Sequence, residues 1–284
     1  MNVAIVGLGL IGGSMAKSIK NRTAHTVWGA DLNSETMTMA RMCGAIDAPL
    51  TEENLPQADL ILVAIRPGAA IEWVRQHAPL ISKSAILVDL CGVKRTVVAS
   101  IAPVAEQYGF AYIGGHPMAG TQFSGYAHSR ADLFQGAPLV LVPPTVDDAL
   151  KLELLGQVRE MVRPLGFGKF SVTTAAEHDR VIAFTSQLAH VVSNAYVKSP
   201  TAQVHHGFSA GSYRDLTRVA HLNPQMWSEL MIDDADALAF EIDHLIDSLG
   251  AYSRALKNRD QRYLENLLAE GDRIKRALDD ESAH

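Results

Sequence analysis

Cysteines, basic charge and long apolar runs are all scarce in this sequence, and each scarcity excludes a class of protein. The 284 residues include 2 cysteines, Cys43 and Cys91, which belong to no metal-binding or disulfide pattern. We therefore expect reduced thiols, a cytoplasmic location and no metal site. The formal net charge of −6 argues against a nucleic-acid partner. No apolar stretch approaches the roughly 20 residues of a membrane span, and the chain starts with a predicted strand rather than a signal peptide, so we expect no membrane association.

The composition is that of an ordinary globular protein, and the first part of the chain alternates strands with helices. Apolar residues make up 48% of the chain and charged residues 20%, which is enough to fill a sizeable core. Nearly continuous apolar strands separated by helices predict a parallel sheet covered on both faces. We expect strands at residues 2–6, 26–30, 59–64, 84–89, 110–113, 137–142 and 169–172.

The pattern changes near residue 174, after which only helical periodicity is found. Helices are predicted at 175–197, 207–218, 224–232, 235–256 and 260–278. The sequence thus predicts an α/β, Rossmann-like NAD-binding domain with a parallel sheet at residues 1–173, followed by an all-α helical domain at residues 174–284. Helices packed in this way commonly bury a dimer interface, so we expect a homodimer formed through the second domain.

A glycine-rich loop follows the first strand and precedes a helix, which is the context required of a dinucleotide-binding loop. Gly7 permits the tight turn, Gly9 lets a pyrophosphate approach the backbone, and Gly12 allows the helix to pack closely against the strand. The helix N-terminus offers N–H groups and a positive dipole end to the phosphates. The predicted cofactor contacts here are Gly7, Leu8, Gly9, Leu10, Ile11 and Gly12.

Asp31 ends the second predicted strand, about twenty residues beyond the glycine loop. A carboxylate at this place can accept hydrogen bonds from both ribose hydroxyls and would repel a 2′-phosphate, so we predict NAD rather than NADP. The alternative is that Asp31 caps the next helix, although Asn33 or Ser34 suits that cap better.

Later strands end in loops that should meet the glycine loop along one crevice, the place where open α/β sheets bind ligands. Ile65 and Arg66 follow the third predicted strand, and Cys91 and Gly92 follow the fourth. We predict that these residues contact the cofactor.

A histidine motif, Gly114-Gly115-His116-Pro117, follows the fifth predicted strand. Pro117 biases His116 toward an extended conformation, and the glycines, with Gly120 beyond them, would let a ligand approach the backbone. The imidazole is therefore predicted to stand at the ligand-binding edge of the sheet. The alternative is a turn histidine with no task, and the spacing alone leaves both interpretations open.

Two polar sets in the helical part could contact a substrate. Gln187 and His190 lie three apart, on one face of a predicted helix, although His190 could equally be a buried core residue. Arg214 and Arg218 lie four apart and could hold a carboxylate, or they could form a surface salt-bridge set with Asp215.

These residues together resemble the prephenate/arogenate dehydrogenases of tyrosine biosynthesis, and the likeness covers nearly the whole chain. The histidine stretch combined with the arginine–tryptophan stretch is specific to that family, whereas the glycine loop is shared with many others. The matching motifs are Gly7-Leu8-Gly9-Leu10-Ile11-Gly12-Gly13-Ser14, residues 89–94, residues 114–125, Ala131-Asp132-Leu133-Phe134, residues 185–190, and residues 214–218 through Met226-Trp227.

The resemblance implies an NAD-dependent oxidative decarboxylation of prephenate or arogenate. Hydride would pass from ring C4 to the nicotinamide, and the ring carboxylate would leave as CO2. His116 resembles the catalytic histidine that removes the C4 hydroxyl proton, a task suited to an imidazole of pKa about 6.5. Arg218 resembles the arginine that binds the substrate carboxylate. The other predicted substrate contacts are His190 and Trp227, near the substrate side chain, with Gln187, Arg214 and Gln122.

Three positions depart from the family pattern. The family usually has Ser where this chain has Gly92, so support for His116 must come from the backbone, from water or from Cys91. The family often has His in place of Gln187, and Glu in place of Gln122. These changes bear on substrate preference and pH profile more than on fold, and nothing in the sequence distinguishes prephenate from arogenate.

Two other functions are compatible with the same architecture. A 3-hydroxyacid dehydrogenase or imine reductase would place a catalytic Lys, or Asp or Tyr, on the helical domain, where this chain offers Gln187 and His190. A catalytically silent NAD-binding sensor would be consistent with Gly92 and Gln187. We also expect neither a regulatory domain after residue 284 nor a chorismate-mutase segment before residue 1.

Overall fold

An eight-stranded sheet organises the first of two compact units, which spans Met1–Asp234, while the second unit begins at Ala235. The computed structural model describes residues 1–121, 123–205 and 207–282. The strands lie in the order β3-β2-β1-β4-β5-β6-β7-β8. They are β1 (Asn2–Val6), β2 (Thr26–Ala30), β3 (Ala48–Pro49), β4 (Leu60–Val63), β5 (Ile86–Asp89), β6 (Ala111–Pro117), β7 (Pro138–Val142) and β8 (Lys169–Val172).

The parallel sheet predicted from the sequence is confirmed from β3 to β6, but β7 pairs antiparallel to β6. A parallel pair needs a long crossover, usually a helix. Between β6 and β7 the described residues form only a short 3-10 turn, Tyr126–His128, so the chain returns in the opposite direction. A helix does separate β7 from β8, and that pair is parallel again.

The helices of the first unit pack on both faces of the sheet or follow β8. They are α1 (Leu10–Arg22), α2 (Ser34–Met42), α3 (Pro67–His77), α4 (Arg95–Tyr108), α5 (Asp148–Val162), α6 (Ala175–Ile182), α7 (Ala189–Tyr196), α8 (Gly211–Thr217) and α9 (Pro224–Asp233). The helix predicted at 175–197 is interrupted by a π-helical turn, Ala183–Leu188, between α6 and α7. Such turns occur often at functional sites.

The alternation of side chains along β1 explains why both faces of the sheet are covered. Ile5 belongs to the same buried cluster as Met15 of α1, whereas the next residue, Val6, belongs to a second cluster with Val74 of α3 and Ile101 of α4. Burying each such side chain contributes roughly 1.5–3 kcal/mol. A strand buried on both faces must be apolar throughout, as the sequence pattern indicated.

The register of the parallel strands brings their carboxyl ends to one edge of the sheet. Val6 pairs with both Ala30 and Val63, Val63 pairs with Asp89, and Asp89 pairs with Gly114. The loops that follow β1, β2, β4 and β5 therefore start at neighbouring points of this edge. The last residues of β6, which include His116, extend past the same edge.

The second unit is helical and contains α10 (Ala235–Lys257) and α11 (Gln261–Ser282). The Tyr252 hydroxyl of α10 donates a hydrogen bond of 3.3 Å to the Leu267 carbonyl of α11. None of the helices in the described part of the chain is long and apolar enough to span a membrane.

Candidate active site

The glycine loop has the backbone geometry that its three glycines predicted. Gly7 adopts a φ of 86°, and a Cβ there would lie 2.3 Å from Ile65 Cγ2. A Cβ on Gly12 would lie 1.8 Å from the Gly7 carbonyl oxygen, so only glycine lets α1 approach β1 so closely. Around Gly9, by contrast, no described atom lies within 4 Å of the Cβ position. The loop is thus closely packed at Gly7 and Gly12 and open at Gly9.

The N-terminus of α1 can receive an anion. No side chain caps it, and no acidic residue lies in its first turn. Leu10 and Ile11 begin this helix and pack partly buried against the core. Because the first N–H groups of a helix and its dipole favour negative charge, this end of α1 fits the phosphates of a dinucleotide.

Asp31 lies beside the glycine loop and helps to shape it. One carboxylate oxygen accepts a hydrogen bond of 2.8 Å from the Leu8 amide, and the other accepts one of 2.9 Å from the Asn33 amide. The cap of α2 is Asn33, whose side-chain oxygen accepts from the amides of Glu35 and Thr36. The alternative function of Asp31, as the cap of that helix, is therefore wrong.

The loops after β4 and β5 lie next to one another and meet α9. The Cys91 thiol donates a hydrogen bond of 3.5 Å to the Ile65 carbonyl. Burial, together with the nearby Asp89 carboxylate, raises the pKa of this thiol well above its usual value. Glu229 of α9 accepts hydrogen bonds from Arg66 Nη1, at 3.3 Å, and from the Gly68 amide, at 3.2 Å.

Gly92, the first departure from the family pattern, has room for a side chain. A Cβ there would lie 3.5 Å from Leu230 Cδ2, an ordinary van der Waals distance, and its φ is not positive. The backbone does not require glycine at this position.

The two glycines before His116 serve packing rather than ligand approach, which corrects the interpretation from the sequence. A Cβ on Gly115 would lie 2.8 Å from Val88 Cγ1, and one on Gly114 would lie 3.1 Å from Lys94 Cδ. Lys94 is fully buried and forms an ion pair with Asp89, which is also fully buried. The expected access for a ligand is found at Gly120, where no described atom lies within 4 Å of the Cβ position.

His116 is partly buried and is hydrogen-bonded to a second histidine. His116 Nδ1 lies 2.9 Å from His178 Nε2, and His178 Nδ1 lies 2.6 Å from Asp179 Oδ1. Asp179 also accepts hydrogen bonds from the backbone amides of Lys94, at 2.7 Å, and Arg95, at 2.8 Å, at the start of α4. The sequence offered backbone, water or Cys91 as support for His116, and in the structure His178 holds its Nδ1.

The surroundings lower the pKa of both His116 and Asp179, for different reasons. Burial, followed by the neighbouring His178 and Lys94, holds the pKa of His116 well below its ordinary value. Burial alone would raise the pKa of Asp179, but hydrogen bonds from His178 and from the two backbone amides outweigh it, and the pKa is lowered. At neutral pH, His116 is a neutral base and Asp179 is a carboxylate.

Two ion pairs and a hydrogen bond connect Asp179 to the π-helical turn. Arg95 Nε lies 3.5 Å from Asp179, and Arg95 Nη2 donates a hydrogen bond of 2.8 Å to Asp234. Asp234 also accepts a hydrogen bond of 3.4 Å from the side-chain amide of Gln187. Gln187 is 2% exposed, and within the described residues its Oε1 has no hydrogen-bond partner.

Of the predicted substrate residues, His190 and Trp227 pack together, and the charge of Arg218 acts on His190. The His190 and Trp227 rings have centroids 3.9 Å apart, and His190 Nδ1 lies 2.9 Å from the Val219 carbonyl. Burial lowers the pKa of His190, the Val219 hydrogen bond opposes this, and the Arg218 charge adds to the lowering.

Arg214 stands apart from these residues. Its side chain is exposed, and no hydrogen bond or ion pair joins it to another predicted site residue in the part of the chain that the structure describes. The alternative salt-bridge set of Arg214, Asp215 and Arg218 is likewise not found among the described residues. Gln122, the remaining predicted substrate contact, lies outside the described residues.

His178, Asp179, Lys94 and Asp234 were not singled out from the sequence, yet all are buried at this site. One signal was present in the sequence, because His178 lies four residues before Ile182 and therefore shares its buried helix face. His178 and His116 lie 62 positions apart in the sequence, so no local pattern predicts the hydrogen bond between them.

Comparison with known proteins identifies the family. Residues 15–166 match the family model described as prephenate dehydrogenase, nucleotide-binding domain, and residues 174–270 match the one described as prephenate dehydrogenase, dimerization domain. The cyclohexadienyl dehydrogenase of Zymomonas mobilis is 30% identical over 98% of this chain and 96% of its own length.

Two solved structures are similar over almost their full lengths. Synechocystis arogenate dehydrogenase is 28% identical, with a TM-score of 0.77 over 97% of this chain and 99% of that chain. Prephenate dehydrogenase from Aquifex aeolicus, in complex with hydroxyphenyl propionate and NAD+, is 26% identical, with a TM-score of 0.82 over 98% of this chain and 97% of that chain. The chain belongs to the prephenate dehydrogenase family.

Proposed function

We propose that this protein catalyses the NAD-dependent oxidative decarboxylation of prephenate or arogenate. The observation that carries this proposal is a neutral, hydrogen-bonded His116 at the same sheet edge as the dinucleotide-type loop. The similar solved structures support it, since one is an arogenate dehydrogenase and the other is a prephenate dehydrogenase in complex with NAD+.

The reaction needs alignment and one proton acceptor. The C4 hydroxyl proton passes to His116 as hydride leaves C4. The ring carboxylate then departs as CO2, its electron pair passes through the ring to the C4 oxygen, and the resulting phenolate takes a proton back. The ring becomes aromatic, and the product is 4-hydroxyphenylpyruvate from prephenate or tyrosine from arogenate. A positioned base of this kind contributes typically about 10²–10⁴-fold to the rate.

NAD would supply the hydride acceptor, and the chain's own residues fit it. Gly7, Gly9 and Gly12 with the uncapped N-terminus of α1 would hold the pyrophosphate, and Asp31 would accept from the ribose. The other proposed contacts of the cofactor are Leu8, Leu10, Ile11, Ile65, Arg66, Cys91 and Gly92.

Arg218 is proposed to hold the substrate carboxylate through its planar guanidinium. His190, on which the charge of Arg218 acts, and Trp227, which packs against His190, would face the substrate side chain. The buried Oε1 of Gln187 would find its missing partner in a substrate group. Gln122 and Arg214 complete the proposed set.

Turnover with the two candidate substrates tests the proposal. Purified protein would be mixed with NAD and either prephenate or arogenate, while NADH absorbance and the aromatic product are followed together. We expect stoichiometric NADH and product with at least one substrate, and their loss in His116→Asn. Saturable NAD binding without turnover of either substrate would instead support a catalytically silent sensor.

We also propose that the enzyme prefers NAD to NADP, because the Asp31 carboxylate would meet a 2′-phosphate. The wild-type kcat/KM should be higher with NAD, and Asp31→Ser should narrow the difference between the two cofactors. Equal or higher kcat/KM with NADP in the wild type would contradict the assignment.

We further propose that residues 1–173 form the cofactor domain and that residues 174–284 form the helical domain through which two copies associate. A cytoplasmic setting is consistent with Cys43 and Cys91, which are both free thiols.

A further inference from the structure

We propose that His178 is a positioning residue that fixes the tautomer of His116, so that His116 Nε2 is unprotonated and faces the substrate hydroxyl. The identity of that hydroxyl rests on the proposed function, whereas the tautomer itself does not.

Asp179 is an acceptor to all of its neighbours. Its carboxylate takes hydrogen bonds from the backbone amides of Lys94 and Arg95 and forms an ion pair with the Arg95 guanidinium. A carboxylate has no proton to give, so the 2.6 Å contact with His178 requires a proton on His178 Nδ1. The second nitrogen, His178 Nε2, then decides the direction of the next hydrogen bond.

Burial favours the neutral form of His178, which is 3% exposed. Of the cations nearby, Lys94 pairs with Asp89, and Arg95 is shared between Asp179 and Asp234. Asp179 therefore keeps part of its negative charge for the hydrogen bond that it accepts from His178 Nδ1.

A neutral His178 with a proton on Nδ1 can only accept at Nε2. The 2.9 Å contact therefore requires that His116 donates from Nδ1, which leaves the lone pair of His116 on Nε2. A general base must have an unprotonated nitrogen, here Nε2, before it can accept the substrate proton. The carboxylate that orients the catalytic histidine of serine proteases acts by the same logic, with the difference that here a second imidazole stands between the carboxylate and the base.

The tautomer can be measured without any turnover. The full-length protein would be labelled with 15N in its 11 histidines, and the ring nitrogens observed through their long-range couplings to ring protons at neutral pH. The signals of His116 are assigned by their absence in His116→Asn. We expect a protonated Nδ1 and an unprotonated Nε2 on His116, and a His116 ring protonated at Nε2 alone would overturn the proposal.

Two substitutions separate positioning from packing. In His178→Gln, the amide N–H can donate to Asp179 while the carbonyl accepts from His116, so the order of donor and acceptor is preserved. In His178→Phe the shape is approximated, but the acceptor is lost. We expect His178→Phe to lower kcat by about 10²-fold or more, with the KM for NAD unchanged, and His178→Gln to retain at least about tenfold more activity than His178→Phe.

The matched control is His77→Gln, since His77 lies on α3 and its Nδ1 contacts the Trp73 carbonyl, away from this network. It should change neither kcat nor the His116 signals. Equal losses in His178→Gln and His178→Phe, with the His116 tautomer unchanged in both, would overturn the proposal.

If His178→Phe fails to fold, the wild-type spectrum and the activity of His178→Gln still test whether His178 fixes the tautomer of His116. An enzyme that turns over neither substrate would refute the proposed function, while the spectrum would still report on His178.

Discussion

His116 combines a buried setting with a hydrogen bond that leaves one ring nitrogen available, and its pH behaviour follows from both. Its pKa is held well below the ordinary value of about 6.5, first by burial and then by His178 and Lys94. The base is therefore still active where a solvated histidine would be half protonated. We predict that kcat/KM stays level as the pH falls through about 6.5 and declines only at lower pH. A midpoint at or above pH 6.5 would contradict this.

The same shift has a consequence for stability, and its sign is fixed. In the unfolded chain, His116 takes up a proton near pH 6.5, whereas in the folded chain it does so only at lower pH. Between these values the unfolded state binds more protons, so the free energy of unfolding falls as the pH decreases below about 6.5. Comparison of the urea unfolding of wild type and His116→Asn between pH 7.5 and 5 isolates this contribution, which the variant should lack.

Gly92 offers a test of whether the missing hydroxyl matters. A Cβ at this position meets Leu230 at an ordinary distance and needs no unusual φ, so we predict that Gly92→Ser leaves the melting temperature unchanged and holds or raises kcat. Gly115→Ser is the control, and it should lower the melting temperature, because its Cβ would lie 2.8 Å from Val88 Cγ1. An unchanged melting temperature with a collapse of kcat would mean that a ligand occupies the space above Gly92.

Arg218 and Arg214 differ in their surroundings, so their substitutions should differ too. The charge of Arg218 acts on His190, which packs against Trp227, whereas no such interaction is found for Arg214 within the described residues. We predict that Arg218→Lys raises the substrate KM strongly, since lysine lacks the two-donor fork that matches a carboxylate, and that Arg214→Lys changes it little. Steady-state kinetics at saturating NAD measure both, and the reverse order would exchange the two roles.

At the scale of elements, the connection from β5 to α4 carries a buried ion pair beneath His116. Lys94 and Asp89 are both fully buried, and Asp89 also accepts from the Tyr112 hydroxyl, at 2.8 Å, and the Cys91 amide, at 3.0 Å. Removal of one partner leaves an uncompensated charge, so we predict that Lys94→Met lowers the free energy of unfolding by about 3–5 kcal/mol.

Urea unfolding of three variants checks this prediction. The double variant Asp89→Asn with Lys94→Met should recover part of the loss, because no lone charge is left behind. Lys20→Met breaks the more exposed pair with Asp47 and should cost less than about 1 kcal/mol. A loss of similar size in Lys94→Met and Lys20→Met would show that burial of the first pair has no energetic consequence.

Elements differed in how far the sequence could predict them, for physical reasons. The strand at 26–30 and the strand at 169–172 were predicted at their true bounds, because their apolar pattern and flanking residues are local signals. β6 continues to Pro117, beyond the predicted end at residue 113, because β7 pairs with its last residues. The π-helical turn at Ala183–Leu188 contains no glycine or proline, so the sequence has no local signal that predicts it. The hydrogen bond between His116 and His178 exists only once α6 is packed beside β6.

At the scale of the whole molecule, the candidate site is assembled from segments far apart in sequence. α9 shows this, because Trp227 contacts His190, Glu229 holds Arg66, and Leu230 lies over Gly92. One helix thereby touches both the proposed substrate residues and the proposed cofactor loops. Family motifs identify the members of such a set, while their distances and protonation states depend on the folded chain.

The second unit supplies the last prediction, which concerns assembly. Its two helices expose several large apolar side chains, among them Phe240, Ile246 and Leu249 on α10 and Leu268 on α11, each 57–59% exposed. Large apolar side chains exposed in such number suggest an association surface, and residues 174–270 match a family model described as a dimerization domain. We predict that the wild type sediments at twice its chain mass of 30.7 kDa.

Leu249→Asp should shift the protein toward the monomer without loss of helical content, because Leu249 is exposed within the single chain. Glu270→Lys, a charge reversal at an exposed position of α11, is the control and should leave the mass unchanged. If the wild type were monomeric at micromolar concentration, or if Leu249→Asp and Ile246→Asp both remained dimeric, these apolar side chains would not form the interface.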